Sequence, residues 1–254
     1  MSNNLHEIKD KKLFNEIAGK YFLKDVYPVS SRARKFQLLS LFDLYKNETK
    51  KEEHGVILEL GCGVGASSKY LGNSYKKYIG VDYSEEFIGI AKKHFANNRT
   101  LFHCANIKDY KNEFEEVDFI FGVGVLHHVN NIEEVLINLK EIGNKRTVYG
   151  FIEPQASNPF IQILRRLRML IDKDYSSEQI FFKRNKIREI FELNGFNVLK
   201  IKYQGYFTVP FAQIIIKPAF LFKPIVNLLI HVDMFIQYYL NNRFSWNIIW
   251  IDKL

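Results

Sequence analysis

Short apolar runs alternate with segments of helical period through the middle of the chain. The apolar runs predict seven strands, at residues 55–61, 76–84, 100–106, 117–124, 146–154, 197–205 and 245–254. Between them, apolar residues recur every three or four positions, most clearly over 131–142 and again over 183–196, where Gly195 marks the C-cap. Strands that alternate with helices predict an α/β fold in which a mostly parallel seven-stranded sheet lies between two layers of helices.

Three segments fall outside this alternation. Residues 1–54 form a predicted helical N-terminal cap, and residues 154–182 and 206–243 are insertions after the fifth and sixth strands. Within the cap we predict helices at 10–22 and 31–46. We expect the whole chain to be one domain with residues 55–153 as its ligand-binding core, because α/β folds of about 200–250 residues are commonly single units. Function-specific structure is expected in the additions to that core.

Composition is that of a globular protein, with 47% hydrophobic and 25% charged residues. Thirty-six basic residues against 28 acidic ones give a net charge of +8. Such a charge favours anionic partners, namely a phosphorylated small molecule, an anionic membrane surface or RNA.

The compartment is predicted from cysteines and hydropathy. Cys62 and Cys104 are isolated in sequence and form neither a disulfide framework nor a zinc pattern, which favours a reducing compartment and predicts no metal site. The N-terminus carries charges where a signal peptide needs an apolar core. The longest uncharged stretch, 203–216, is too short for a membrane span. We therefore expect a cytoplasmic protein, with peripheral membrane contact left open.

The stretch VILELGCGVGASSKYL at 56–71 carries the first candidate chemistry. An apolar run leads into Gly61, Gly63 and Gly65, after which a helix begins. Glycine permits positive φ and close approach of the backbone, and a helix N-terminus presents free N–H groups and the positive end of its dipole. This strand–loop–helix arrangement predicts a seat for a nucleotide-like ligand.

Two ligands fit these residues. Gly61-x-Gly63-x-x-Ala66 satisfies the dinucleotide fingerprint, and Asp82 follows at about the 20-residue distance where an acidic group binds ribose hydroxyls. Proteins that bind nicotinamide dinucleotides and proteins that bind S-adenosylmethionine share both features. An NAD(P)-dependent oxidoreductase and a non-catalytic nucleotide-binding scaffold therefore stand as alternatives to a methyltransferase.

ELGCGVG at 59–65 resembles the first motif of the class I S-adenosylmethionine-dependent methyltransferases. That motif has an acidic residue two positions before the first glycine, here Glu59, where nicotinamide enzymes generally have a small or apolar residue. VDYSEEFIGIAKK at 81–93 is similar to the second-strand motif of the same family. It implies that Asp82 binds the ribose hydroxyls and that Tyr83 lies beside the adenine.

Two later segments continue the resemblance. CANIKD at 104–109 resembles the third-strand motif, with Asn106 where the family often has Asp, and VDFIFGVGVLHHVNN at 117–131 resembles the fourth-strand signature. The N-terminal stretch 18–36 is similar to family members whose first helix closes over the cofactor, which implies Tyr21 and Arg32 or Arg34 as contacts of the methionine carboxylate. Together these motifs imply a Rossmann-like fold with S-adenosyl-L-methionine as cofactor. The predicted cofactor-binding residues are Glu59, Gly61, Cys62, Gly63, Gly65, Asp82, Tyr83, Asn106, Ile107, Gly122, Leu126, Tyr21 and Arg32.

Candidate general bases are His127 and His128 after the fourth strand and Glu153 at the end of the fifth. All three fall at the carboxyl edge of the predicted sheet, where open α/β sheets bind ligands. Each has a structural alternative, because a histidine can merely pack the loop and Glu153 can be a satisfied turn carboxylate. The Pro-bounded segment EPQASNPF at 153–160 predicts a wall of the substrate pocket, with Asn158 as a substrate contact.

The sequence says least about the methyl acceptor. A basic helix is predicted at 165–170, where the sequence reads RRLRML. The insertion at 206–243 contains a helix that is apolar around most of its circumference. Such a helix must be covered by the core, a dimer mate, an apolar substrate or a membrane. No appended RNA-binding domain and no Asn-Pro-Pro-Tyr-type motif is evident, which disfavours nucleic acid. We expect O-methylation of a small-molecule, saccharide or lipid-like acceptor by a monomer or homodimer.

Overall fold

A computed structural model describes residues 3–51, 54–111, 116–163, 166, 181–240 and 243–254, with side chains from residue 9 onwards. Seven strands form one sheet in the order β3-β2-β1-β4-β5-β7-β6. Their bounds are β1 His54–Leu60, β2 Tyr75–Asp82, β3 Thr100–Cys104, β4 Phe119–Val123, β5 Val148–Pro154, β6 Asn197–Gln204 and β7 Asn247–Lys253. β1 to β5 pair in parallel, whereas β7 lies antiparallel between β5 and β6. The predicted seven-stranded, mostly parallel α/β fold is confirmed.

Helices cover both faces of this sheet. Their bounds are α1 Asn3–Val26, α2 Pro28–Thr49, α3 Ala66–Leu71, α4 Glu85–Phe95, α5 Ile132–Ile142, α6 Arg184–Leu193, α7 Val209–Gln213 and α8 Ala219–Tyr239. α1 and α2 extend beyond the predicted cap helices. Gly195 follows α6 with a φ of +82°, and the Phe196 N–H donates to the Phe191 carbonyl, so the predicted glycine cap is confirmed.

Side chains of β1 point alternately to the two faces of the sheet. Leu58 and Leu60 join the core under α5 and α6, whereas Ile57 packs with residues of α2 and α4 on the other face. Glu59 follows Ile57 by two residues and therefore belongs to the α2 face, where it is buried. A strand buried on both faces explains the nearly continuous apolar run at the start of the glycine motif.

Helix α8 differs from the other helices because little of it is covered. Val226 packs with Val29, Ala33 and Ala212 in a small cluster between α8, α2 and α7. Of the described residues, this helix alone is long and apolar enough to cross a membrane by length and composition. The prediction that no segment reaches that length was wrong, because Lys223 and Asp233 interrupt the apolar pattern in the sequence without breaking the helix.

Part of the predicted organisation lies outside the described residues. The basic segment at 165–170 is described only at Arg166, and most of the first insertion, 167–180, is not described. The single-domain organisation of the chain stays a prediction.

Candidate active site

The glycine loop lies between the carboxyl end of β1 and the start of α3. Gly61, Gly63 and Gly65 have φ angles of +63°, +52° and +79°, which glycine adopts without strain. A Cβ on Gly63 would meet nothing within 4 Å, whereas one on Gly65 would come within 2.7 Å of the Phe102 ring. Gly63 therefore opens onto the cavity, and Gly65 permits close packing of the start of α3 against Phe102 of β3.

Asp82 links this loop to the next helix. Its carboxylate accepts hydrogen bonds from the backbone N–H groups of Gly63 and Ser84, each at 2.9 Å. Ser84 in turn caps α4, because its Oγ accepts from the Phe87 N–H. Burial raises the pKa of Asp82 to about 6, against the opposing effect of the backbone hydrogen bonds. The side chain both braces the loop and lines the cavity.

Glu59 is buried at the floor of the same cavity. The Ser67 hydroxyl donates to one carboxylate oxygen at 2.7 Å, and the Tyr78 hydroxyl donates to the other. Burial raises the pKa of Glu59 to about 8 in spite of these two donors. A desolvated carboxyl of this kind gains most when a cationic group binds beside it.

The N-terminal helices form the opposite wall. Tyr21, Asp25, Arg34 and Gln37 line the cavity. The Arg34 Nε lies 2.9 Å from the Asp25 carboxylate and donates to the Ala212 carbonyl of α7 at the same distance. The Nε2 of Gln37 is buried and has no hydrogen-bond partner among the described residues. This wall thus offers a ligand three polar groups, namely the Arg34 guanidinium, the Asp25 carboxyl and the Gln37 amide N–H.

Arg32 is not part of this wall. It is exposed on α2, whereas Arg34, the alternative that the sequence offers, lines the cavity. Helical spacing carries the signal, because Arg34 shares a face with the buried Gln37, Leu38 and Leu41, whereas Arg32 does not.

A second cavity adjoins the first across Asp82 and His128 and is lined by Tyr83, Asn106 and Ile107. Asn106 lies in a turn after β3, and its Oδ1 accepts a hydrogen bond from the Lys108 N–H at 3.0 Å. The side-chain oxygen of Asn106 is therefore already engaged with the chain. Cys62 lines the first cavity and is buried, and burial raises the pKa of its thiol well above the ordinary value.

His128 borders both cavities. Its Nδ1 lies 2.9 Å from the carboxylate of Asp10, a buried residue of α1 that the sequence analysis missed. Burial lowers the pKa of His128, with the neighbouring His127 acting in the same direction and Asp10 opposing. The ring therefore favours its neutral form. No local pattern indicates Asp10, because it is separated from His128 by 118 positions in the chain.

His127 and Glu153 form a buried pair behind the cavity. The Glu153 carboxylate accepts from the backbone N–H groups of Val125 and Leu126 at 2.9 and 2.7 Å, and it lies 2.6 Å from the His127 Nδ1. Glu153 is fully buried and lines neither cavity. The geometry therefore gives these two residues contacts that support the loop after β4, and their catalytic role stays a prediction.

Three more predicted contacts lie away from the cavities. Leu126 is fully buried in the core, and Gly122 lets Val125 approach, since a Cβ there would come within 2.5 Å of that side chain. Asn158 is buried and donates to the Phe244 carbonyl at 2.8 Å, which ties its segment to the approach to β7. Of the predicted residues, the structure brings together Tyr21, Glu59, Gly61, Cys62, Gly63, Asp82, Tyr83, Asn106, Ile107 and His128.

Comparisons with known proteins agree with this fold. Residues 58–145 match the family model described as a methyltransferase domain. A malonyl-[acyl-carrier protein] O-methyltransferase from Bacillus cereus is 32% identical over 131 residues, 51% of this chain and 46% of the relative. An (S)-coclaurine N-methyltransferase from Papaver somniferum is 30% identical over 108 residues, 41% of this chain and 30% of the relative. The chain thus matches less than half the length of either relative.

A solved structure extends the comparison to nearly the whole chain. The crystal structure of a SAM-dependent methyltransferase from Thermotoga maritima superposes with a TM-score of 0.64, 16% sequence identity and coverage of 96% of this chain and 99% of that one. At this identity the likeness establishes the fold. Residues 58–145 thus match the methyltransferase-domain model, on a chain that has the Rossmann-like fold of the class I S-adenosylmethionine-dependent methyltransferases.

Proposed function

We propose that this protein transfers a methyl group from S-adenosyl-L-methionine to an oxygen of a small-molecule, saccharide or lipid-like acceptor. The observation that carries the proposal is that two buried carboxyls from adjacent strands, Glu59 near the end of β1 and Asp82 at the end of β2, line the same cavity as the open backbone at Gly63. The family match of residues 58–145 supports it.

The cavity residues fit this cofactor in charge and hydrogen bonding. Glu59 and Asp25 would face its cationic groups, and both have pKa values raised by burial. Arg34 would hold its carboxylate together with the Nε2 of Gln37, which has no hydrogen-bond partner among the described residues. At the other end, Asp82 would accept from ribose hydroxyls, and Tyr83 with Ile107 would flank the adenine. The cofactor supplies a methyl group that is already activated on a sulfonium, so the protein chiefly binds and orients.

His128 is the proposed general base. Its Nδ1 faces the Asp10 carboxylate, which holds the ring in the tautomer whose Nε2 accepts a proton. A neutral ring, favoured by burial, is the form that can take a proton from a hydroxyl or an ammonium. A carboxylate acceptor would need no base. Asp10 is thus a positioning residue, and it contributes to catalysis only when the acceptor must lose a proton.

Oxygen is favoured over nitrogen by two observations. The more similar of the two relatives is an O-methyltransferase. The net charge of +8 would attract anionic acceptors, among which carboxylates are methylated on oxygen.

Calorimetric titration tests the cofactor assignment. S-adenosylmethionine, S-adenosylhomocysteine and NAD are titrated against the wild type, Asp82→Ala and Asp43→Ala, a matched change on the exposed face of α2. We expect both adenosyl ligands to bind, NAD not to bind, and Asp82→Ala to weaken binding by on the order of 100-fold, since two hydrogen bonds to a charged group are lost. NAD binding would favour the oxidoreductase alternative.

A second assay addresses the acceptor atom. Release of S-adenosylhomocysteine is measured with panels of carboxylic acids, alcohols, saccharides and amines, using the wild type, His128→Asn and Asp10→Asn. For a hydroxyl acceptor we expect His128→Asn to lower kcat by at least about 100-fold. An effect confined to KM would remove His128 as a base, and turnover of amines alone would replace O-methylation by N-methylation. Ligand binding without turnover of any panel would favour the scaffold alternative.

A further inference from the structure

Helix α8 presents an apolar face to solvent. Its covered side comprises Ala219, Phe222, Val226 and Asp233, spaced three to seven residues apart along one stripe. The opposite side carries large apolar side chains that are 45–81% exposed. These residues are Phe220, Leu221, Ile225, Leu228, Met234, Phe235, Tyr238 and Tyr239, and we call them the outer face of α8. An apolar surface of this extent on a helix marks a place of interaction.

The charges around this face have one sign. Between residues 206 and 244 the basic side chains are Lys217, Lys223 and Arg243, and the only acidic one is Asp233. Lys217, Lys223 and Arg243 are exposed, whereas Asp233 is buried. The surface therefore combines hydrocarbon with positive charge and offers no exposed carboxylate in this segment.

Asp233 fixes α8 to the rest of the protein. Its carboxylate accepts from the Phe207 and Thr208 N–H groups at 2.8 and 3.1 Å and from the Thr208 hydroxyl at 2.6 Å. Crossing a bilayer would require breaking these contacts and placing the carboxylate in hydrocarbon. The helix is thus held parallel to the protein surface, with its outer face available.

We propose that the outer face of α8 docks in the plane of an anionic lipid membrane. A helix with one exposed apolar side and basic residues nearby can bury that side at the boundary between headgroups and acyl chains and hold its cations near anionic lipid headgroups. Tyr238 and Tyr239, at the C-terminal end of the helix, are of the type that settles at that boundary. A second copy of the chain fits less well, because a symmetric contact would bring Lys217, Lys223 and Arg243 together without acidic partners.

The docked surface is connected to the candidate active site. α7 precedes α8, and its Ala212 carbonyl accepts from Arg34, which lines the cofactor cavity. Docking of α8 would therefore hold the cavity near the membrane surface. This inference goes beyond the proposed methyl transfer and does not depend on it.

Vesicle flotation tests the proposal with the 254-residue chain. Phosphatidylcholine vesicles are compared with vesicles containing phosphatidylglycerol, at low and high salt. The outer-face variant is Leu228→Ser/Phe235→Ser, and its control is Ile137→Ser/Leu193→Ser, two comparably exposed apolar residues on α5 and α6. We expect the wild type and the control to float with anionic vesicles and the outer-face variant to lose at least about 10-fold in partitioning, since two large apolar side chains no longer enter the lipid.

A charge reversal separates electrostatic from apolar attraction. Lys217→Glu/Lys223→Glu should reduce partitioning on the order of 10-fold or more, whereas Lys92→Glu/Lys93→Glu on the exposed side of α4 should change it little. A carbonate wash should release the bound protein, and retention after the wash would overturn the in-plane arrangement.

Other outcomes overturn the proposal. Failure of the wild type to bind anionic vesicles at low salt would exclude it. A concentration-dependent dimer that the outer-face variant abolishes would assign the face to a second copy. Titration with S-adenosylhomocysteine reports separately on folding and on the cofactor cavity, so failure of this proposal is distinguishable from failure of the proposed function.

Discussion

The cofactor cavity and helix α8 depart from the usual distribution of side chains in opposite directions. Around the cavity, Glu59 and Asp82 are 2% and 4% exposed, whereas on α8 Phe220 and Tyr238 are 75% and 81% exposed. A buried carboxyl costs stability unless it is hydrogen-bonded, whereas an apolar side chain that stays exposed contributes little to folding. The comparison teaches that the first region offsets its cost locally, by N–H and O–H donors, whereas the exposed apolar area of α8 is available to the membrane docking proposed above.

Removal of Glu153 should have the largest effect on folding, because its buried carboxylate satisfies the Val125 and Leu126 N–H groups. We expect Glu153→Ala to lower the free energy of unfolding by on the order of 3 kcal/mol, since two buried donors and a histidine lose their acceptor. Denaturant unfolding of the variant measures this. A stable variant that binds cofactor but has lost turnover would instead return Glu153 to a catalytic role.

The glycine loop offers a sharper contrast within the cavity region. Gly65→Ala would place a Cβ within 2.7 Å of Phe102 at a φ of +79°, so we expect a loss of about 2 kcal/mol in unfolding free energy. Gly63→Ala meets no atom within 4 Å, so its expected loss is about 1 kcal/mol of backbone strain, together with weaker ligand binding. Denaturant unfolding and ligand titration measure the two effects: equal losses of stability would contradict the packing role of Gly65, and unchanged ligand binding in Gly63→Ala would contradict the assignment of Gly63 to the ligand.

The pH dependence of stability reports on the buried carboxyl at the cavity floor. The pKa of Glu59 rises from an ordinary 4.5 to about 8 in the folded chain. Between these values the unfolded chain releases a proton that the folded chain retains, so the contribution of Glu59 to stability falls as pH rises from 4.5 to 8.

Glu59→Gln removes this contribution. From pH 6 to 8, without ligand, we expect the unfolding free energy of the wild type to fall more steeply than that of the variant, by up to about 1.4 kcal/mol per pH unit. Denaturant unfolding at three pH values provides the measurement. Parallel curves would show that Glu59 is ionised in the free protein.

The outer face of α8 should give the smallest effect on folding. Leu228 is 64% exposed, so Leu228→Ser should change the unfolding free energy by no more than about 0.5 kcal/mol. Val226, on the covered side, is fully buried, and Val226→Ala should cost at least about 1 kcal/mol. A large loss for Leu228→Ser would mean that the outer face is covered within the protein itself.

Sequence patterns predict the parts of the site that are local in the chain. The glycine loop, Glu59 before it and Asp82 at the end of the next strand follow from strand–loop–helix order, since parallel strands end at the same edge of the sheet. The helix capped by Gly195 is predictable for the same reason, because its signal lies within a few residues. What these residues share is that neighbours along the chain determine their placement.

Other parts of the site depend on contacts between distant segments. The alignment of Asp10 with His128 and the burial of Glu153 each require the packing of separate elements. A sequence pattern indicates which face of a helix is apolar but not which element that face meets.

The sequence by itself determined the α/β fold, the cofactor-binding loop and the apolar character of residues 219–239. Periodicity and glycine placement are properties of the chain, and they fix each element before it packs. Only the tertiary structure decided that Glu153 supports a loop and that α8 stays on the surface, fastened by Asp233 to Thr208. Both depend on which backbone donors reach a buried carboxylate, and that is known only once the elements are assembled.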